Sequence, residues 1–121
     1  MKPLFIIIAA VSTIFLSRVT ALAHGTLAHA VPAVGSMQAA APREVVLTFT
    51  EDLEPAFSTI EVRNESGAVM SSGKADVDPK RRTQMRVPLK VLPPGAYKVI
   101  WRILSVDTHR NQGDFTFRVG P

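Results

Sequence analysis

The chain contains no cysteine. That absence excludes a disulfide framework, thiolate metal sites, a cysteine nucleophile and lipid attachment through a thiol. Aromatic residues are few, at 7%, with one tryptophan and one tyrosine. Histidines number only three. No internal repeat, low-complexity tract or long run of one charge is present. Past the N-terminal segment no stretch shows the 3.6-residue apolar period of an amphipathic helix. What is there is ordinary globular composition, 46% apolar and 20% charged over 121 residues. This suits one domain and leaves no room for a second catalytic one. The net charge of +4 is spread thinly, which argues against a nucleic-acid footprint.

The N-terminus accounts for part of that charge. Lys2 precedes an apolar run from Pro3 to Leu16, and Ala21-Leu22-Ala23 offers an A-x-A cleavage site. This is the pattern of a secretory signal peptide over residues 1–23. The apolar run is shorter than the ~20 residues that a membrane-spanning helix needs. Cleavage removes Lys2 and Arg18 and halves the net charge. The expectation is an exported domain, residues 24–121, with no membrane span after cleavage and no disulfide. It must rely on its apolar core.

The mature part reads as strands. Val45, Leu47 and Phe49 alternate with polar neighbours, as do Met85, Val87 and Leu89. Tyr97, Val99, Trp101 and Ile103 form a longer alternating set, and Phe115, Phe117 and Val119 another. Thr59–Val62 is a short β-branched run. Period-two patterning with one apolar face predicts half-buried antiparallel strands. Turn signals separate them at Pro32–Gly35, Ala41-Pro42, Asn64–Gly67, Gly73, Asp78-Pro79, Pro93-Pro94-Gly95 and Asn111-Gln112-Gly113. The polar segment Asn64–Thr83 reads as loops around one or two weak strands. About seven short strands in such a length predict an all-β, immunoglobulin-like β-sandwich, with Trp101 on a long central strand.

Cleavage after Ala23 would make His24 the first residue. Its imidazole and its free α-amine are then two nitrogen donors on one residue. The amine's ordinary pKa of about 7.7–8.0 lets a metal displace its proton near neutral pH. A second feature is Ser105-Val106-Asp107-Thr108-His109. Asp107 and His109 stand two apart, so in extended backbone they share a face at the end of the Trp101 strand. Either feature alone is compatible with a turn aspartate and solvated histidines. Together they form an N,N,N,O donor set. In a tetragonal plane such donors suit Cu(II), and in a tetrahedron zinc.

Four ordered segments then resemble a known family. These are His24–Gly35 (HGTLAHAVPAVG), Phe49–Ser58 (FTEDLEPAFS), Pro94–Arg102 (PGAYKVIWR) and Ser105–Phe117 (SVDTHRNQGDFTF). The chain resembles the periplasmic copper-resistance protein C family (CopC and PcoC) over its whole mature length, most weakly in the middle. The resemblance implies a Greek-key β-sandwich or barrel. It also implies one Cu(II) per chain, bound by His24 (amine and imidazole), Asp107 and His109. Glu51 matches an acidic position near the family's site and is read as a neighbour that accepts the other imidazole N–H. The methionine-rich Cu(I) loop of some members is missing: Val62–Lys80 holds only Met70, Met85 reads as core and Met37 is isolated. A Cu(I) site needs several soft ligands, so none is expected. His29 has no ligand role in the family. The implied function is that of a monomeric periplasmic protein, not an enzyme, that sequesters or carries Cu(II) for copper resistance or homeostasis and passes it to an inner-membrane importer or another periplasmic copper protein.

Other readings compete. Copper oxygenases also use a terminal histidine, but they keep a coordination position open, which Asp107 would close here. Hydrogen peroxide production with copper and a reductant separates the two. A plain immunoglobulin-like interaction module predicts no tight copper binding. Ser105, Asp107 and His109 read as too close in sequence to form a nucleophile–base–acid triad. Glu51, Asp52 and Glu54 read as a solvated acidic turn rather than a glycosidase pair. Lys80-Arg81-Arg82 is too small a basic patch for nucleic acid.

Overall fold

A computed structural model of the chain describes residues 26–121. The segment read as a signal peptide, and His24, lie outside the described residues. Eight strands follow in order: β1 (Leu27–Val31), β2 (Met37–Gln38), β3 (Glu44–Phe49), β4 (Thr59–Asn64), β5 (Asp76–Asp78), β6 (Arg81–Pro88), β7 (Gly95–Leu104) and β8 (Arg110–Val119). A single 3₁₀ turn, Pro55–Phe57, precedes β4. The strands form two four-stranded sheets, ordered β1-β3-β6-β5 and β2-β8-β7-β4. All neighbours are antiparallel except the two-residue β2, which runs parallel to β8. This is the expected all-β, immunoglobulin-like Greek-key sandwich.

The alternating residues face inward as their period requires. Val45, Leu47 and Phe49 of β3 and Met85 and Val87 of β6 meet Ile60 and Val62 of β4, the odd-numbered residues Tyr97 to Ile103 of β7, and Phe115, Phe117 and Val119 of β8. Trp101 is fully buried on the inner strand β7 and packs edge-on against Phe49, with ring centroids 5.2 Å apart. That contact joins the two sheets across the core. Met85 is fully buried, as its alternation predicts. The weak-strand segment forms β5 and the start of β6. Its opening turn is held by Asn64, whose Oδ1 accepts from the backbone N–H groups of Ser66 and Ala68 at 3.1 and 2.9 Å. Gly67 supplies the positive φ of 84° that this turn requires.

The β7–β8 connection differs from expectation. Asn111-Gln112-Gly113 carries turn-forming residues, yet it lies inside β8, with Gly113 paired opposite Trp101. The chain reverses earlier, over Ser105–His109. There the Ser105 N–H donates to the His109 carbonyl, and the Thr108 N–H to the Ser105 carbonyl, both at 2.9 Å. Ten continuous ladder pairs between β7 and β8 outweigh the local preference of three residues. The reversal places Thr108 at φ 72°, a left-handed conformation unusual for a β-branched residue.

Candidate metal centre

Three stretches of chain converge at one end of the sandwich: the start of β1, the β3–β4 link and the β7–β8 turn. The Thr50 N–H donates to the Thr26 carbonyl at 2.9 Å, and the Val106 N–H to the Asp52 carbonyl at 3.0 Å. The Glu54 backbone N–H donates to the Leu104 carbonyl at 2.8 Å. The Asn111 side-chain amide donates to the Thr26 hydroxyl at 3.1 Å. These bonds tie both sheets together beneath a small cleft of about 210 Å³, lined among others by Thr26, Phe49, Glu51, Ser105 and His109.

At this end Glu51, Asp107 and His109 each offer a ligand atom, all within 4.8 Å of one another. Among the described residues no other group of acidic and histidine side chains gathers in this way. His29 is exposed on β1, opposite Thr48, outside the cluster. Asp107 and His109 meet, but not by the route their spacing suggests. They sit in the turn and not on an extended strand, and the curvature at Thr108 brings the side chains together. His109 Nδ1 lies 3.0 Å from Asp107 Oδ2. The other carboxylate oxygen, Oδ1, accepts from the Ser105 hydroxyl and from the His109 backbone N–H at 3.3 Å.

The electrostatics follow from these bonds. The Ser105 hydroxyl and then His109 hold the Asp107 carboxyl down at about 2. The same hydrogen bond, the Asp107 charge and the Glu51 charge beyond it push the His109 imidazole up. Both side chains stand in water, with His109 81% exposed, so the pair contributes little to stability.

Ser105, Asp107 and His109 touch one another, but not as the nucleophile–base–acid triad that their closeness in sequence argued against. The order of contact is wrong for nucleophilic catalysis. The serine hydroxyl bonds to the Asp107 carboxylate and to the His109 carbonyl, so no imidazole faces it as a general base. Ser105 is also buried. Its part as an anchor for Asp107 had no sequence signal, and neither had Asn111, which ties β8 to the start of β1. Glu51 belongs with Asp107 and His109 and not with a carboxylate pair. The Lys80–Arg82 triplet lies at the exposed β5–β6 turn, where the Lys80 N–H bonds the Asp78 carboxylate at 2.8 Å.

Together the fold and the cluster define a class: a small β-sandwich that presents nitrogen and oxygen metal donors at one end. The CopC domain model matches residues 27–120, and the chain belongs to the CopC family. It is 37% identical over 101 residues to Protein YobA of Escherichia coli K12, covering 80% of this chain and 79% of that one. To a copper resistance protein C of Escherichia coli it is 35% identical over 109 residues, covering 83% and 84%. The crystal structure of CopC from Methylosinus trichosporium OB3b superposes with a TM-score of 0.75 at 30% identity, over 79% of this chain and 93% of that one.

Proposed function

We propose that this protein is a periplasmic Cu(II) carrier, with one ion held by the His24 amine and imidazole, Asp107 and His109. Glu51 stays outside the ligand set and accepts the Nε2–H of His109. The observation that carries the reading is the Asp107–His109 pair. Two donors about 2.0–2.2 Å from one ion and at right angles to each other stand roughly 2.8–3.1 Å apart. The Asp107 Oδ2 to His109 Nδ1 separation is 3.0 Å. An ion entering there replaces the proton that the two atoms share, with little movement of either side chain. The pair is thus set for a metal before one arrives.

The placement of Thr26 supports His24 as the remaining ligand. Thr26 lines the same cleft as Glu51 and His109. Two residues of chain span up to ~7 Å, a length that allows a ligand two residues before Thr26 to reach this cleft. Relatives named copper resistance protein C support copper as the ion. Four nitrogen and oxygen donors suit Cu(II) over Cu(I). With Asp107 in the plane, no equatorial position is left for oxygen chemistry, which favours carriage over catalysis. The acceptor in this reading is an inner-membrane copper importer or another periplasmic copper protein, met by a monomer.

The test is a competitive Cu(II) titration of chain 24–121 beginning at His24, beside the same chain with one added N-terminal residue. Tight one-to-one binding that the added residue abolishes is the expected result. Equal, weak binding by both chains would show that His24 is incidental and favour a plain interaction module.

A further inference from the structure

Beside the metal cluster lies a second, larger cleft of about 520 Å³. Its floor is the outer face of the β4-β7-β8 sheet, where Thr59, Arg102 and Gln112 stand in one row across three strands. Phe57, from the 3₁₀ turn, forms one wall and is 63% exposed. Arg110 and Asn111 form the rim shared with the metal cleft, for both residues line the two cavities. A molecule seated here therefore touches the edge of the metal centre.

The cleft has one sign of charge. Arg102 and Arg110 line it and no carboxylate does. Among the described residues neither arginine has an ion-pair partner, while Arg63 and Arg86 on the same sandwich do. The acids around the cleft lie outside its lining: Glu61 and Asp114 stand one row further along the sheet, with Glu61 paired to Arg63, Glu54 joins by its backbone to Leu104, and Glu51 is on the metal side of Arg110. With Cu(II) bound, the charges of Glu51 and Asp107 balance the two charges of the ion. The field that an approaching molecule meets is then that of the two arginines, set beside an apolar wall. Guanidinium groups bind carboxylates through paired N–H donors.

We propose that this cleft receives the carboxylates of the molecule that exchanges Cu(II) with the site. This inference rests on the Cu(II) reading. The exchange is a ligand substitution in which copper stays Cu(II): each protein donor that leaves is replaced by a carboxylate or other donor of the incoming molecule, and the freed Asp107 carboxylate stays ionised and regains its hydrogen bond with His109 Nδ1. The cleft selects acidic over neutral or cationic exchange partners and steers them to the edge of the metal cluster.

The experiment compares the rate of Cu(II) removal by EDTA, a polycarboxylate, with removal by triethylenetetramine, a polyamine. It uses wild type, Arg102→Glu and Arg102→Lys. Arg102 is exposed and outside the ligand set, so both variants should fold and bind Cu(II) as wild type does. Arg102→Glu is expected to slow EDTA roughly tenfold and leave the polyamine unchanged or faster. Arg102→Lys should keep most of the EDTA rate, and added salt should shrink the difference. Equal slowing of both chelators, or no change with EDTA, would overturn the proposal. A second arm titrates citrate and a pentaglutamate peptide into metal-free protein, following the amide resonances of Phe57, Arg102 and Arg110. Saturable shifts with citrate identify small carboxylates as the source, and shifts with the peptide alone identify an acidic protein surface. Shifts with neither overturn the proposal. Because this arm needs no copper, failure of the Cu(II) reading and failure of the cleft are told apart.

Discussion

The chemistry of the candidate metal centre turns on two adjacent side chains and the proton between them. His109 donates Nδ1–H to Asp107, and the bond raises the imidazole while it lowers the carboxyl to about 2. The sign of each contribution to stability follows. The Asp107 term is present above its unfolded value of about 3.9 and is lost as pH falls through about 2. The His109 term is fully present below about 6.5 and is lost as pH rises through the raised folded value. The metal competes with that same proton, so Cu(II) affinity should fall on acidification, beginning above the ordinary histidine range. Asp107→Asn should lower the His109 titration towards the ordinary imidazole value, leaving only the smaller upward push of Glu51; a midpoint that stays where it was would mean that the hydrogen bond does not set it. His109→Ala should weaken Cu(II) binding at least tenfold, a loss of about 1.4 kcal/mol or more. Undiminished affinity in a competition titration would remove His109 from the site. Asp107→Ala should alter the Cu(II) absorption and spin-resonance spectra by opening one equatorial position, and unchanged spectra would count against direct ligation.

At the scale of the element, the β7–β8 turn does what neither residue could do alone. Thr108 at φ 72° bends the chain so that Asp107 and His109 face each other, at a cost of about 1–2 kcal/mol for a non-glycine residue in that conformation. Thr108→Gly should therefore raise unfolding stability by roughly 0.5–1 kcal/mol, net of glycine's greater unfolded-state freedom. It should weaken Cu(II) binding as the turn loosens. Denaturant midpoints and a copper titration on one preparation check both, and a variant that is less stable would show that Thr108 makes contacts outweighing its strain. The turn also marks where the sequence stops being legible. Strands β3, β4, β7 and β8 declare themselves because one face of each is core, so alternation is enforced. In β1 only Ala30 is buried, and β2 is two residues long, so neither has a pattern to read. The turn was hidden because its residues, Val106 and Thr108 among them, are β-branched, while the turn-like Asn111-Gln112-Gly113 is held straight by its ladder with β7. Asp107 and His109 could still be named from their spacing, although the geometry behind that spacing is different. Glu51 could be placed only through the family resemblance, because nothing local marks an acid that reaches its partners across the sandwich.

For the molecule as a whole, the centre is assembled from three chain segments that only the folded sandwich brings together. The start of β1 and the β3–β4 link flank the sheet containing β3, while the β7–β8 turn extends the other sheet. In the proposed ligand set His24 and His109 stand more than eighty residues apart in sequence, which an unfolded chain cannot present as one site, so an ion bound there would stabilise the fold by mass action. At a free Cu(II) concentration one hundred times the dissociation constant the gain is about 2.7 kcal/mol. For a domain of this size that corresponds to a rise of roughly 10–20 °C in Tm. Trp101 provides the readout, being the chain's single tryptophan, fully buried and in contact with Phe49, which lines the metal cleft. Its emission should fall on Cu(II) binding and report unfolding in the same thermal scan. Chain 24–121 beginning at His24 should show the full shift, and the chain with one added N-terminal residue only a small part of it. Equal shifts in the two chains would mean that the described cluster of Glu51, Asp107 and His109 binds the ion without the terminal amine, and would reassign the fourth donor to Glu51.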